Sequence, residues 1–100
     1  MNTKNLTIQS IILENVDSSF DELKYKIKTT LNIDVTDQEL ISCLYPLVLE
    51  NYIGGDITKN HFARDINTKM WLVIYDKDTI LTTTKGLEYL EKINNILSKK

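Results

Sequence analysis

An apolar, strand-like run followed by a capped amphipathic helix near the end of the chain constrains the fold most. Met70–Tyr75 alternates side chains as a β-strand does, with β-branched and aromatic residues on one face. Thr83, a favoured N-cap residue, then precedes a stripe of apolar residues at helical spacing. The members of this stripe are Leu87, Leu90, Ile93 and Leu97, widened by Tyr89 and Ile96. We therefore expect a small antiparallel sheet and a closing helix, with His61–Arg64 and Thr79–Thr82 as candidate partner strands.

Two capping boxes predict helices earlier in the chain. Glu22 follows Ser19 by three residues, and Glu39 follows Thr36 by three residues. At this spacing the two side chains of each pair satisfy backbone amides that a helix start leaves free. The apolar residues after each box recur at helical spacing, so each box predicts the start of an amphipathic helix.

Apolar spacing and glycine set the limits of the remaining helices. The stretch from Leu6 to Val16 has mostly helical spacing and predicts a first helix. The third helix is predicted to run to Gly54-Gly55, because glycine suits a helix end. Pro46 lies inside it and predicts a kink, since proline lacks the amide donor that the preceding turn needs.

Composition narrows the class of protein. A chain of 100 residues with 42% hydrophobic content predicts one α+β domain, residues 1–100. Cys43 and His61 are the only residues of their types, and no phosphate-binding glycine loop or nucleophile elbow is present. We therefore predict no enzyme activity, no cofactor and no metal. No apolar run approaches the roughly 20 residues of a membrane span, which predicts a cytoplasmic protein without membrane contact.

The order of three helices, a hairpin and a closing helix resembles the winged-helix variant of the helix-turn-helix. Leu49-Glu50-Asn51-Tyr52-Ile53-Gly54 is similar to the exit from that family's recognition helix, and Thr83–Gly86 resembles the segment that closes its wing. Thr82 departs from the leucine usual there, and 55–82 is longer than a minimal wing. The resemblance implies a winged helix-turn-helix: a three-helix core, a β-hairpin or small sheet as the wing, and a C-terminal helix.

The same resemblance implies a small transcriptional regulator that binds duplex DNA. In that family the third helix enters the major groove, where side-chain amides and hydroxyls contact base edges, and the wing touches phosphates. The base-reading positions of this chain are then Gln38, Ser42 and Tyr45, and the wing cations are Lys59, Arg64 and Lys69. Lys24 and Lys28, four residues apart on the second helix, form a further basic ridge.

The charge around the third helix favours a different hypothesis. Between residues 32 and 58 the chain has no lysine or arginine, and its acids are Asp34, Asp37, Glu39, Glu50 and Asp56. Such a surface repels the phosphate backbone on which DNA affinity depends. Tyr45, Leu49 and Ile53 follow one another at intervals of four and predict an outward apolar ridge, typical of a protein contact. The alternative hypothesis is thus a winged-helix protein-interaction module, unless the long wing folds over this ridge and buries it.

The first and last helices predict a homodimer. Their apolar residues cover more of each helix than one packing partner requires, which leaves surplus surface for a two-fold mate. Tyr89, Ile96 and Leu97 are the predicted interface residues on the last helix. The competing explanation is that the two helices pack on each other within one chain.

Overall fold

The structure, a computed structural model, describes residues 3–55, 61–64, 67, 71–74, 76 and 78–99, and for 61–64 and 71–74 it describes the backbone only. Within these residues the chain forms four helices and four short strands, which confirms the α+β part of the predicted fold. The helices are α1 (Thr3–Glu14), α2 (Phe20–Leu31), α3 (Asp37–Leu49) and α4 (Thr84–Ser98). The strands are β1 (Ile53–Gly54), β2 (His61–Arg64), β3 (Trp71–Ile74) and β4 (Leu81–Thr82).

The predicted caps begin α2 and α3. At α3 the box is complete: the Glu39 amide donates to the Thr36 hydroxyl at 3.1 Å, and the Thr36 amide donates to the Glu39 carboxylate at 3.3 Å. At α2 the Glu22 amide donates to the Ser19 hydroxyl, which in turn donates to the Glu22 carboxylate. Local side-chain chemistry therefore fixes where both helices start.

The predicted end of the third helix is wrong, because α3 ends at Leu49 rather than at the glycine pair. Asn51 takes the left-handed conformation, with φ of 62°. The Tyr52 amide donates to the Leu47 carbonyl at 2.8 Å, and the Asn51 amide donates to the Val48 carbonyl at 3.1 Å. These bonds form a Schellman motif, in which asparagine takes the place that glycine usually holds.

Two antiparallel ladders follow α3. β1 pairs with β4, with Ile53 opposite Thr82, and β2 pairs with β3, with His61 opposite Ile74. The prediction that His61–Arg64 pairs with the apolar strand is confirmed. The second candidate partner contributes only Leu81–Thr82, and this strand pairs with the unpredicted β1. The segments between the ladders, 55–60 and 75–80, are equal in length.

Helix α1 is the centre of the helical packing. It lies against α2, α3 and α4, and it buries Leu6, Ile8, Ile12 and Leu13 almost completely. Burial of such side chains is the main favourable contribution to folding. Most of the apolar surface of α1 is therefore used inside one chain, while Ile11 stays half-buried. The predicted homodimer stays a prediction. Within the described residues, no helix has both the length and the apolar character that crossing a bilayer requires.

Candidate functional site

The Thr83–Gly86 segment fastens the start of α4 to the end of α3. Thr83 is the N-cap: its hydroxyl accepts from the Gly86 amide at 3.0 Å and donates to the Asn51 carbonyl at 2.6 Å. The Thr83 amide donates to the Tyr52 carbonyl at 3.0 Å. Gly86 is buried, and a Cβ at this position would overlap the Tyr52 carbonyl group. The motif thus allows a backbone-to-backbone contact that only glycine permits.

Thr82, which stands where the winged-helix pattern usually has leucine, makes a hydrogen bond of its own. Its hydroxyl donates to the Leu13 carbonyl at 2.7 Å, near the C-terminal end of α1. The carbonyls of a last helical turn lack partners inside the helix. Thr82 therefore provides a bond that a leucine at this position could not provide.

Four residues singled out by the sequence share one side of α3, called here the outer face. Gln38, Ser42, Tyr45 and Leu49 are spaced four, three and four residues apart, the spacing of a single helix face. Leu49 is 60% exposed, Ser42 is exposed, and Gln38 and Tyr45 are half-buried. The Ser42 hydroxyl donates to the Gln38 carbonyl at 2.8 Å. Pro46 lies exposed beside Leu49. None of these five side chains carries a formal charge.

The lysines predicted to contact phosphate are bound to carboxylates beside this face. Lys24 pairs with Asp37 at the start of α3, and the hydrogen bond that its ammonium group donates to the Asp37 carboxylate raises the pKa of Lys24. Lys28 pairs with Asp34, its Nζ atom 3.3 Å from Oδ2. Lys4 on α1 makes a third pair of this kind, with Glu39 at 3.6 Å. Cations from two helices thus compensate three of the acids that precede or begin α3.

The remaining predicted site residues lie elsewhere. Ile53 was expected on an exposed ridge, but it is 5% exposed in β1 and belongs to the core, because the helix that would have turned it outward ends at Leu49. Arg64 is the last residue of β2, where the backbone is described. Lys59 and Lys69 lie outside the described residues. The structure therefore gathers the α3 positions on one face and separates Ile53 from them.

The predicted dimer residues on α4 have mixed surroundings. Tyr89 stacks on Tyr52, with ring centroids 4.3 Å apart, and Leu97 packs partly against the core. Ile96 is 42% exposed. Leu87, the other exposed apolar residue of α4, is nine residues away and so lies on the opposite side of the helix. The exposed apolar surface of α4 is thus divided into two places rather than one stripe.

A polar network that the sequence did not indicate joins three helices under the tyrosine stack. The Tyr89 hydroxyl donates to the Gln9 side-chain carbonyl at 3.0 Å, and the Gln9 amide donates to the Cys43 backbone carbonyl at 3.2 Å. Gln9 and Tyr89 are 80 residues apart in the chain, and no local pattern reveals such a pairing. The network links α1 to the middle of α3 and to α4.

Cys43 has the surroundings of a packing residue. It lines a small cavity of about 170 Å³ between α1 and α3, and its side chain is buried. Burial raises the pKa of the Cys43 thiol and so favours its protonated form. The protonated thiol is a much poorer nucleophile than the thiolate. Among the described residues no cluster of histidine, cysteine and carboxylate side chains has the composition of a metal site.

The capping box at α3 makes an acid-sensitive contribution to stability. The hydrogen bond from the Thr36 backbone amide lowers the pKa of Glu39, with a smaller contribution from the nearby Lys4 ammonium group. Because the folded pKa lies below the unfolded one, this contribution is complete at neutral pH and is lost as the pH falls from the ordinary pKa of a glutamate through the lowered pKa of Glu39. Glu39→Gln should make the melting temperature fall less steeply between neutral and acidic pH. If the melting temperatures of the two proteins fell equally between neutral and acidic pH, this assignment would be contradicted.

Comparison of the chain with protein-family models, with curated proteins and with solved structures finds no match. The described residues define a small α+β domain, in which three helices pack around α1 and an antiparallel ladder leads into α4. Its candidate functional site is the outer face of α3, with the paired acids Asp34, Asp37 and Glu39 near its start and Glu50 at its end.

Proposed function

We propose that the chain is a winged-helix domain whose hairpin, between β1 and β4, is the wing. The order of elements supports this assignment, since α3 is followed by antiparallel strands that lead directly into a closing helix. The Thr83–Gly86 contacts support it as well, because they give a physical reason for the motif on which the resemblance rests.

We propose further that the domain is a protein-interaction module and that the outer face of α3 is its contact surface. The observation that carries this proposal is the exposure of Leu49, which is 60% exposed at the C-terminal end of the outer face of α3. A helix that presents Tyr45, Pro46 and Leu49 together has the apolar and aromatic side chains that protein interfaces favour.

The charges near the outer face of α3 argue against its binding in the major groove of DNA. A DNA-binding surface gains affinity when lysines and arginines neutralise phosphates. Here Lys24 and Lys28 already neutralise Asp37 and Asp34, so approaching phosphates must compete with carboxylates for them. Glu50 lies at the C-terminal end of α3, exposed beside Leu49, and forms no ion pair with any lysine or arginine in the described part of the chain. The face therefore suits an uncharged or basic protein surface better than a polyanion.

Crosslinking from position 49 tests the proposal. A photoreactive amino acid at position 49 should capture one defined partner protein in cells, whereas the same amino acid at position 26, on exposed α2 surface, should not. With that partner purified, Leu49→Asp should weaken binding at least tenfold, because a charge at an apolar contact must be desolvated. Lys26→Asp, the matched surface control, should change affinity less than twofold. Equal losses in both variants, or competition by random duplex DNA for the crosslink, would contradict the proposal.

DNA binding by the wing is the second candidate function, and it would make the domain a transcriptional regulator. The position of Arg64 favours it: this residue closes the β2–β3 ladder opposite Trp71, next to the six-residue connection 65–70 that contains Lys69. A cationic hairpin end can contact phosphates without help from α3. In this case the wing would supply the affinity and α3 little of it.

A further inference from the structure

Three lysines form a line along α4, called here the lysine face. Lys85, Lys92 and the C-cap residue Lys99 follow one another at intervals of seven residues. Each interval turns by about 20° around the helix and advances by about 10 Å along it, so the two end lysines are about 40° apart. All three are exposed. Lys85 also lies over the Tyr52 ring, its Nζ atom 5.4 Å from the ring centroid, which fixes one end of the line next to the tyrosine stack.

The lysine face is not compensated as the lysines beside α3 are. Among the described residues, no ion pair joins Lys85, Lys92 or Lys99 to a carboxylate, whereas Lys4, Lys24 and Lys28 each have one. Glu88 is the acid nearest to this side of α4, between Lys85 and Lys92, and together with Tyr52 and Tyr89 these residues line a shallow depression. The side of the helix thus carries an excess of positive charge.

The composition of the face indicates the chemistry of its partner. Lysine is depleted in the centres of protein–protein interfaces, while phosphate contacts by lysine supply most of the affinity in sequence-independent nucleic-acid binding. Ile96 is the one exposed apolar side chain beside the line, and a single apolar residue is smaller than a protein-docking patch. Three positive charges at regular intervals along one helix suit a polyanion with a regular backbone.

We propose that the lysine face of α4 binds the phosphate backbone of nucleic acid without reading its sequence. This contact is separate from the outer face of α3 and does not depend on the proposed protein interaction. It is also separate from Arg64, the predicted wing cation that the structure describes, which lies in β2.

Salt-dependent titration of the full chain against short random-sequence duplex DNA tests the proposal. Each lost phosphate contact should make the plot of log affinity against log salt shallower by about 0.9. The variant Lys85→Gln, Lys92→Gln, Lys99→Gln should therefore flatten the slope by about 2 to 3, and the corresponding three-arginine variant should restore it. The matched control, Lys4→Gln, Lys24→Gln, Lys28→Gln, removes the same total charge from lysines that are already paired, and its slope should change by less than one.

Four outcomes would overturn the proposal. One is no binding by the unmodified chain at low salt. A second is equal flattening in the α4 variant and the matched control, which would mean that only overall charge matters. A third is flattening by Arg64→Ala, Lys69→Ala but not by the α4 variant, which would place the contacts on the wing. The last is equally tight binding of poly-glutamate, which would show that the face responds to any polyanion and not to phosphates.

Discussion

Gly86→Ala is expected to destabilise the domain more than any other single methyl addition in its described part. The added Cβ would overlap the Tyr52 carbonyl oxygen and lie 2.9 Å from both its carbonyl carbon and the Thr82 Cγ2 atom. Two backbone segments would have to separate, and with them the bonds that Thr83 makes to the end of α3. We expect the free energy of unfolding to fall by about 3 kcal/mol or more, measured by urea denaturation, because overpacking against backbone cannot relax through side-chain rotation.

Gly54→Ala is the matched control for this variant. Its Cβ would meet the Thr83 methyl group at 3.1 Å and a Leu81 methyl group at 3.9 Å, both of them side-chain atoms. Small adjustments of these side chains can relieve the contact, so the change in stability should stay within about 1 kcal/mol. If the two alanine variants were equally stable, the close approach of α4 to the end of α3 would not be a determinant of the fold.

Ile93→Ala is expected to have the second-largest effect. Ile93 is 0% exposed and is the fully buried side chain by which α4 joins the core around α1. Removing most of a fully buried isoleucine costs about 2–5 kcal/mol, because both transfer energy and packing are lost. Ile96→Ala, three residues further along the same helix, should change stability by less than about 1 kcal/mol, because Ile96 is 42% exposed.

The same pair of variants bears on the predicted homodimer. If α4 packs within one chain, the urea midpoint of the unmodified protein should not depend on protein concentration. A midpoint that rises with concentration, together with a large effect of Ile96→Ala, would instead show that Ile96 is buried between two copies. Sedimentation at about 100 μM, well above the micromolar dissociation constants of weak specific interfaces, would give the same answer directly.

Short-range chemistry explains why much of the fold could be predicted. A serine or threonine N-cap accepts a hydrogen bond from the amide three residues later in almost any context, so the starts of α2 and α3 follow from Ser19 and Thr36. The start of α4 follows from the N-cap residue Thr83, whose hydroxyl accepts from the amide of Gly86 rather than of a glutamate. The end of α3 could not be predicted in this way. Glycine adopts the left-handed conformation most easily, so the pair Gly54-Gly55 indicated the helix end, but Asn51 is the residue that adopts it.

Contacts between distant segments explain what could not be predicted of the site. The acids near α3 predicted a negatively charged surface, because no lysine or arginine is close to them in the sequence. Lys24 nevertheless pairs with Asp37, and this pairing depends on how α2 and α3 pack. Ile53 fitted the helical spacing of the outer face and yet became core once the chain left the helix. The Gln9 network has no periodicity at all, since its members meet only when α1, α3 and α4 have packed.

The matched registers of the two ladders limit how the length of this hairpin can change. The segments 55–60 and 75–80 contain equal numbers of residues. Inserting an odd number of residues into only one of them would shift the register of the next ladder, so that each side chain of that strand would face the opposite side of the sheet. The root of the hairpin is held independently, since adjacent threonine hydroxyls bond to the ends of α1 and α3. Additions at the connection 65–70 alter neither constraint. That connection is therefore where natural variants should differ most in length, and where a foreign peptide can be displayed without disturbing the helices.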